Sequence, residues 1–160
     1  MRKIKKRKKK YIRDIKYNSK LVSYFINNLM KQGKKNIAYK ILYKALSIIE
    51  LKFKNTKGNS NPLKILKIAI KNSSPEVEIK TRKIGGATYN IPIKINNNRK
   101  NYLSIKWLIT NSKNRNEKTM SEKLANEIIN TYNGIGATIK KKNEIYKIAE
   151  SNKVFSYFKF

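Results

Sequence analysis

The chain has 160 residues, of which 39 are Lys or Arg and nine are Asp or Glu, for a formal net charge of +30 at pH 7. It contains no Cys and no His, and Asp14 is its only aspartate; disulfides, thiolate metal sites, Cys nucleophiles, the commonest general base and a two-Asp metal site are thereby excluded. A compact body with this charge repels itself unless a polyanion neutralises it, and nucleic acid is the natural one, because each neutralised phosphate releases condensed counterions.

Hydrophobic residues make up 39% of the chain, enough for one folded domain with a real core. No run of about eighteen apolar residues occurs, so a transmembrane helix and a membrane partner are not expected. Lysines outnumber arginines 33 to six, and Ile, Asn and Tyr are abundant. These are residues of AT-rich codons, so genome drift accounts for part of the lysine excess. Drift alone would raise Asn without raising net charge, so a demand for phosphate binding is still needed.

Nine of the twelve residues from Arg2 to Arg13 are basic: Arg2, Lys3, Lys5, Lys6, Arg7, Lys8, Lys9, Lys10 and Arg13. Only Ile4, Tyr11 and Ile12 interrupt them, so the arm cannot fold alone and reads as an RNA-binding extension. A targeting segment would favour Arg and Ser with helical amphipathicity, which this arm lacks. Residues 1–13 are assigned to the extension and 14–160 to the domain.

From Ser19 the pattern is helical, with Leu21, Val22, Phe25, Ile26 and Leu29 on one stripe. Gly33 is placed to end that helix. A second stripe (Ile37, Ile41, Leu42, Ala45, Leu46, Ile49) predicts a longer helix finishing near Phe53, followed by a polar loop from Asn55 to Asn61. Asn61-Pro62 is a start signal for a third helix through Leu63, Leu66, Ala69 and Ile70, ending before Pro75.

The period then changes to two. Val77 and Ile79 alternate with Glu78 and Lys80, and Tyr89, Ile91, Ile93 and Ile95 resume the alternation after Gly85-Gly86, which predicts a β-hairpin. Pro92 marks an edge strand. A two-stranded ribbon builds no core of its own, so it should project, with Lys80, Arg82 and Lys83 making its outer face and tip basic. Gly85-Gly86 lacks the spacing and the Gly-Lys-Ser ending of a phosphate loop, so a hairpin turn is the better reading.

Helical spacing returns at Tyr102, Ile105, Leu108 and Ile109, with Trp107 read as core. Thr119-Met120-Ser121-Glu122 fits a capping box opening a fifth helix through Leu124, Ile128 and Ile129, closed by Asn133-Gly134. A last helix from about Lys141 carries Ile145, Ile148, Ala149 and Phe155. The predicted fold is mainly α: a six-helix, bundle-like domain with one projecting hairpin between helices three and four.

Besides the arm, the basic residues cluster at Lys31, Lys34 and Lys35; Lys80, Arg82 and Lys83; Arg99 and Lys100; Lys113, Arg115 and Lys118; and Lys140, Lys141 and Lys142. Each cluster falls at a helix end or turn, where backbone amides and the helix dipole would add to side-chain charge. The eight glutamates read as solvated or salt-bridging positions. Together these features predict a surface that grips folded RNA by shape and backbone, with no catalytic equipment and no cofactor.

Three stretches carry a resemblance to the small-subunit ribosomal protein S-seven family. Residues 76–93 read Glu-Val-Glu-Ile-Lys-Thr-Arg-Lys-Ile-Gly-Gly-Ala-Thr-Tyr-Asn-Ile-Pro-Ile, similar to the family's hairpin signature. Residues 118–127 resemble its helix of the Leu-Ala-Asn-Glu type, and Gly136 to Lys142 with Ala149 to Phe155 resemble its final helix. The similarity runs collinearly from about residue 10 onward. It implies a non-enzymatic part of the small ribosomal subunit that binds the 3′ major domain of small-subunit rRNA and starts head assembly. It also implies a hairpin lying beside the exit-site tRNA and the mRNA path, with neighbouring small-subunit proteins as further partners.

Carried over by position, RNA contact would fall on Lys34, Lys35, Arg82, Lys83, Arg99, Lys100, Arg115, Lys118, Lys140, Lys141 and Lys142; charge adds Lys113 and the arm to the rRNA-binding set, the arm being denser than bacterial relatives of the family usually show. The tRNA- and mRNA-proximal hairpin would use Lys80, Arg82, Lys83, Gly85, Gly86 and Tyr89. Where Lys83 and Lys100 stand in place of a family arginine, phosphate would be met by a point charge and Arg's planar fork is lost. The rival reading is a free-standing, polyanion-binding translation or compaction factor. AT-rich composition without a presequence suggests an organelle-encoded protein, in the mitochondrial matrix first and the plastid second, with a bacterial cytoplasm third.

Overall fold

The computed structural model describes residues 12–57 and 61–158. The elements follow in the expected order: α1 (Lys20–Leu29), α2 (Lys35–Lys57), α3 (Pro62–Ser73), β1 (Val77–Ile84), β2 (Ala87–Lys94), α4 (Asn97–Lys113), α5 (Met120–Tyr132) and α6 (Ala137–Ser151). A short 3-10 helix, Lys153–Phe158, comes last. The protein is mainly α, with the hairpin between α3 and α4. It divides into two compact units between Lys40 and Ile41, inside α2. The arm from Arg2 to Lys10 lies outside the described residues.

In the first unit α1 buries Val22, Phe25, Ile26 and Leu29. Gly33 does not end this helix. Met30 leaves the ladder at φ −58 and ψ 134 once its N–H has bonded the Ile26 carbonyl. Gln32 and Gly33, both at positive φ, then form a separate turn closed by Lys34 N–H to the Lys31 carbonyl at 3.0 Å. Ile37, expected inside, is 53% exposed, because the inward face of α2 is centred on Ala38 and Leu42, one residue further round the helix. α2 also runs to Lys57 instead of stopping near Phe53, helped by an ion pair between Glu50 and Lys54 one turn apart.

In the second unit α3, α4 and α5 bury Leu66, Ala69, Ile70, Ile105, Leu108, Leu124 and Ile128. α3 starts as expected, with Asn61 Oδ1 accepting from Leu63 N–H at 2.9 Å ahead of Pro62. Small polar side chains join α3 to α4: the Ser73 and Ser104 hydroxyls lie 2.5 Å apart and both bond the Ile70 carbonyl. Trp107 is half-buried, so it is not part of the innermost core. The capping box of α5 is present in both directions, Glu122 N–H to Thr119 Oγ1 and Thr119 N–H to Glu122 Oε2, each at 3.3 Å.

α6 begins at Ala137, four residues before the position that its apolar spacing predicts. The reason is a cap that comes from the side chain of another helix, Glu127 of α5, and not from the segment itself. Its apolar stripe is also weaker than expected, with Ile145 half-buried and Ile148 exposed, and Phe155 belongs to the 3-10 helix.

The hairpin pairs Val77 with Lys94 through Ile84 with Ala87. Its turn is Gly85-Gly86, at φ +57 and +88. Two successive positive φ values define the type I′ turn, which glycine enters without Cβ strain and which matches strand twist. Ile79 pairs with Pro92 at a site that exchanges no ladder bonds, counted from the turn, so the missing N–H of Pro92 costs nothing. The ribbon is not wholly projecting. Ile91 is 1% exposed, Pro92 is buried, and the Tyr89 and Phe155 rings stand 4.8 Å apart. The base is docked on α6 and the 3-10 helix because both strands still carry apolar residues there, and only the tip from Thr81 to Thr88 stands clear.

Candidate nucleic-acid interface

In the first unit the candidate phosphate ligands Arg13, Lys31, Lys34 and Lys35 are all exposed. Lys34 and Lys35 stand at the start of α2, whose first turn contains no acid. The Lys35 ammonium lies 5.7 Å from the Tyr39 ring centroid, a weak cation–π contact.

On the hairpin, alternation sends Lys80 and Arg82 to one face with Ile91 and Tyr89, and Lys83 to the other with Thr88. The tip is therefore basic on both faces, not on a single outer one. All three side chains are exposed.

Arg99, in the first turn of α4, has its guanidinium set against β1. Its Nε donates to Glu78 Oε2 at 3.0 Å and its Nη2 to Glu78 Oε1 at 2.5 Å. These bonds hold the Glu78 carboxyl below the usual carboxylate range, with partial burial opposing them. Arg99 thus joins the base of the hairpin to α4, while Lys100 beside it is half-buried.

The third cluster is split by role. Lys113 and Lys118 are exposed, whereas Arg115 is turned inward. Its Nε donates to Glu117 at 3.0 Å, its Nη2 pairs with Glu117 Oε1 at 3.0 Å, and its Nη1 reaches Glu127 Oε2 at 2.9 Å. Burial alone would lower the guanidinium pKa, but the bonds to Glu127 and Glu117 outweigh it and the net shift is upward. The Glu117 pKa is lowered, chiefly by the bond from Asn126, which desolvation opposes, with a backbone bond and Arg115 adding smaller contributions.

Glu127 holds this region together, though composition and charge alone class it as one more solvated or salt-bridging acid. It has no exposed surface. Besides Arg115, it accepts from Thr138 N–H at 3.0 Å and from Thr138 Oγ1 at 2.7 Å, and so caps α6 from α5. A signal for it exists in the sequence, since Leu124, Glu127, Ile128 and Thr131 share one helical face and all four are buried. One amide at the start of α5, that of Thr119, and one at the start of α6, that of Thr138, are therefore engaged by carboxylates of the chain itself.

In the last cluster Lys140 and Lys141 are exposed, but Lys142 is not. Its ammonium donates to the Asn72 carbonyl at the end of α3 at 2.7 Å, and burial lowers its pKa, partly offset by Glu76. Asn72 in turn donates to the Thr131 and Tyr132 carbonyls at 3.2 and 3.1 Å, so Lys142 completes a link between three helices. Among the described residues no helix is long and apolar enough to cross a membrane, and no three His, Cys, Asp or Glu residues are grouped to hold a metal ion.

The sequence model of the family described as ribosomal protein S7p/S5e matches residues 1–153. The chain is 44% identical over 153 residues to the small ribosomal subunit protein uS7 of Thermodesulfovibrio yellowstonii, covering 96% of this chain and 95% of that one. Against the uS7 protein of Cytophaga hutchinsonii it is 41% identical over 160 residues, the full length of both. With that of Natranaerobius thermophilus it shares 43% identity over 144 residues, 90% of this chain and 89% of the other. These relatives are bacterial. They lend no support to the organellar ranking and are consistent with a bacterial cytoplasm.

Proposed function

Because the chain belongs to the ribosomal protein S7p/S5e family, whose members are structural ribosomal proteins and not enzymes, we propose that it binds the 3′ major domain of small-subunit rRNA and starts assembly of the head. The observation that carries this reading is the distribution of charge. Lys34, Lys35, Lys80, Arg82, Lys83, Lys118, Lys140 and Lys141 are all exposed at turns, helix starts or the hairpin tip, on a chain of net charge +30. Cations held on helices and a hairpin suit the phosphate backbone of a folded RNA, which is recognised by shape more than by a groove code.

The basic tip of the hairpin is assigned to the exit-site tRNA and the mRNA path, and neighbouring small-subunit proteins are further partners. The arm and the domain after it form one RNA-binding protein on the ribosome of an AT-rich bacterium. Arg115 and Lys142 drop out of the proposed phosphate ligands, since other residues of the chain hold their charged ends. Arg99 serves first to seat the hairpin.

The test is sedimentation through sucrose at rising salt. A protein held by many fixed contacts stays on the small subunit at high salt, at one copy per particle. Recovery mainly in the ribosome-free fraction would sink the reading and favour a loose polyanion binder.

A further inference from the structure

We propose that Glu127 is a positioning residue for RNA binding: it touches no RNA, and it holds the α4–α5 loop and the first turn of α6 as one rigid cationic face. The proposal rests on the rRNA-binding reading and names the device that shapes that surface.

Each oxygen of this buried carboxylate serves a different segment. Oε2 takes the Arg115 guanidinium from the loop at 2.9 Å, and Oε1 takes both the N–H and the hydroxyl of Thr138 at the start of α6. Asn111, near the end of α4, donates to the same hydroxyl at 3.3 Å. The approach is close because Gly136, at φ +108, has no side chain. A Cβ there would stand 3.1 Å from Asn130 Cβ and 3.4 Å from Glu127 Oε1. A buried carboxylate is costly unless every bond is made, and removing one partner strands the other. Arg115 and Glu127 therefore hold only in this arrangement, which sets the spacing between Lys118 on the loop and Lys140 and Lys141 on α6. Arg115 itself is a clamp, with both ends of its fork against carboxylates.

The signs of the expected effects separate this role from plain electrostatics. Glu127→Gln keeps the side-chain shape and removes a negative charge, so charge alone predicts tighter binding to a polyanion. The proposal predicts the reverse. The full-length chain should bind the 3′ major domain fragment roughly tenfold more weakly, with its circular dichroism unchanged. Arg115→Lys retains the charge that a phosphate ligand needs, yet one ammonium cannot serve both Glu117 and Glu127 as the guanidinium does. It should weaken binding comparably, and the double variant should be no worse than either single one.

Glu127→Gln binding as tightly as wild type or tighter would overturn the proposal, and so would Arg115→Lys binding like wild type. Should Glu127→Gln lose its helical signal, Arg115→Lys decides the matter alone, because its side chain is partly exposed and tolerates replacement. A wild-type chain that does not prefer this fragment over unrelated RNA would overturn the functional reading itself, and this proposal with it.

Discussion

Glu78 and Arg99 show how a surface charge can serve orientation more than binding. The pair is bidentate, but the guanidinium is about half exposed at 48%, so solvent screens it and its worth is about 0.5–1 kcal/mol. The Glu78 pKa is lowered by folding, so its stabilisation is fully present above the unfolded value and is lost as pH falls through the folded one. Urea denaturation should find Glu78→Gln less stable than wild type from neutral pH down to about pH 5, with the gap closing in stronger acid. A gap that persists unchanged into strong acid would show that shape, not charge, seats the hairpin. Lys142 makes the complementary point: its positive charge is retained in a half-buried position to bond a helix C-terminal carbonyl, where the dipole favours a cation.

At the scale of elements, the hairpin has two halves with different physics. Its base contributes Ile91 to the packed interior and a ring contact to the 3-10 helix, whereas its tip is mostly exposed, with Ile84 half-buried beside the turn. Excising Lys83 and Ile84 together with Ala87 and Thr88 shortens both strands equally and keeps the register at Arg82 and Tyr89, so the ring contact to the 3-10 helix is left in place. That variant should stay folded and bound to rRNA while retaining exit-site tRNA less well. Ile91→Ala should instead cost about 2–4 kcal/mol of folding stability, read by urea or thermal unfolding. If the excision unfolds the protein as well, the tip is structural and its assignment to the tRNA path falls.

Across the whole molecule the ruling quantity is net charge. A body at +30 has too few acids to neutralise itself, and several of them are committed to internal pairs with Arg99, Arg115 and Lys54. On the proposed reading, rRNA phosphate supplies the remainder. Removing Arg2–Lys10 should weaken rRNA binding and flatten the slope of log affinity against log salt by roughly 0.7–0.9 for each phosphate that the arm neutralises. Preference for cognate over unrelated RNA should survive, because the folded surface supplies the match in shape. An unchanged salt slope in the truncated chain would show that the arm does not touch RNA.

Element types and their order were legible from periodicity, caps and turn residues: Asn61-Pro62, Gly85-Gly86 and the Thr119–Glu122 box each stand where they were expected, because each depends on residues within four positions. The start of α6 was not legible. Its cap is a carboxylate from α5, and no local pattern announces a partner nine residues or more away in sequence. The same limit governed the site. Composition by itself predicted a polyanionic partner, and spacing predicted which segments carry the cations, since charge and helical period are properties of the chain. Which cations remain available to a partner was decided only by tertiary structure: packing brought Glu127 against Arg115, the Asn72 carbonyl against Lys142 and Glu78 against Arg99, and a buried or bidentate partner captures a charge that would otherwise face solvent.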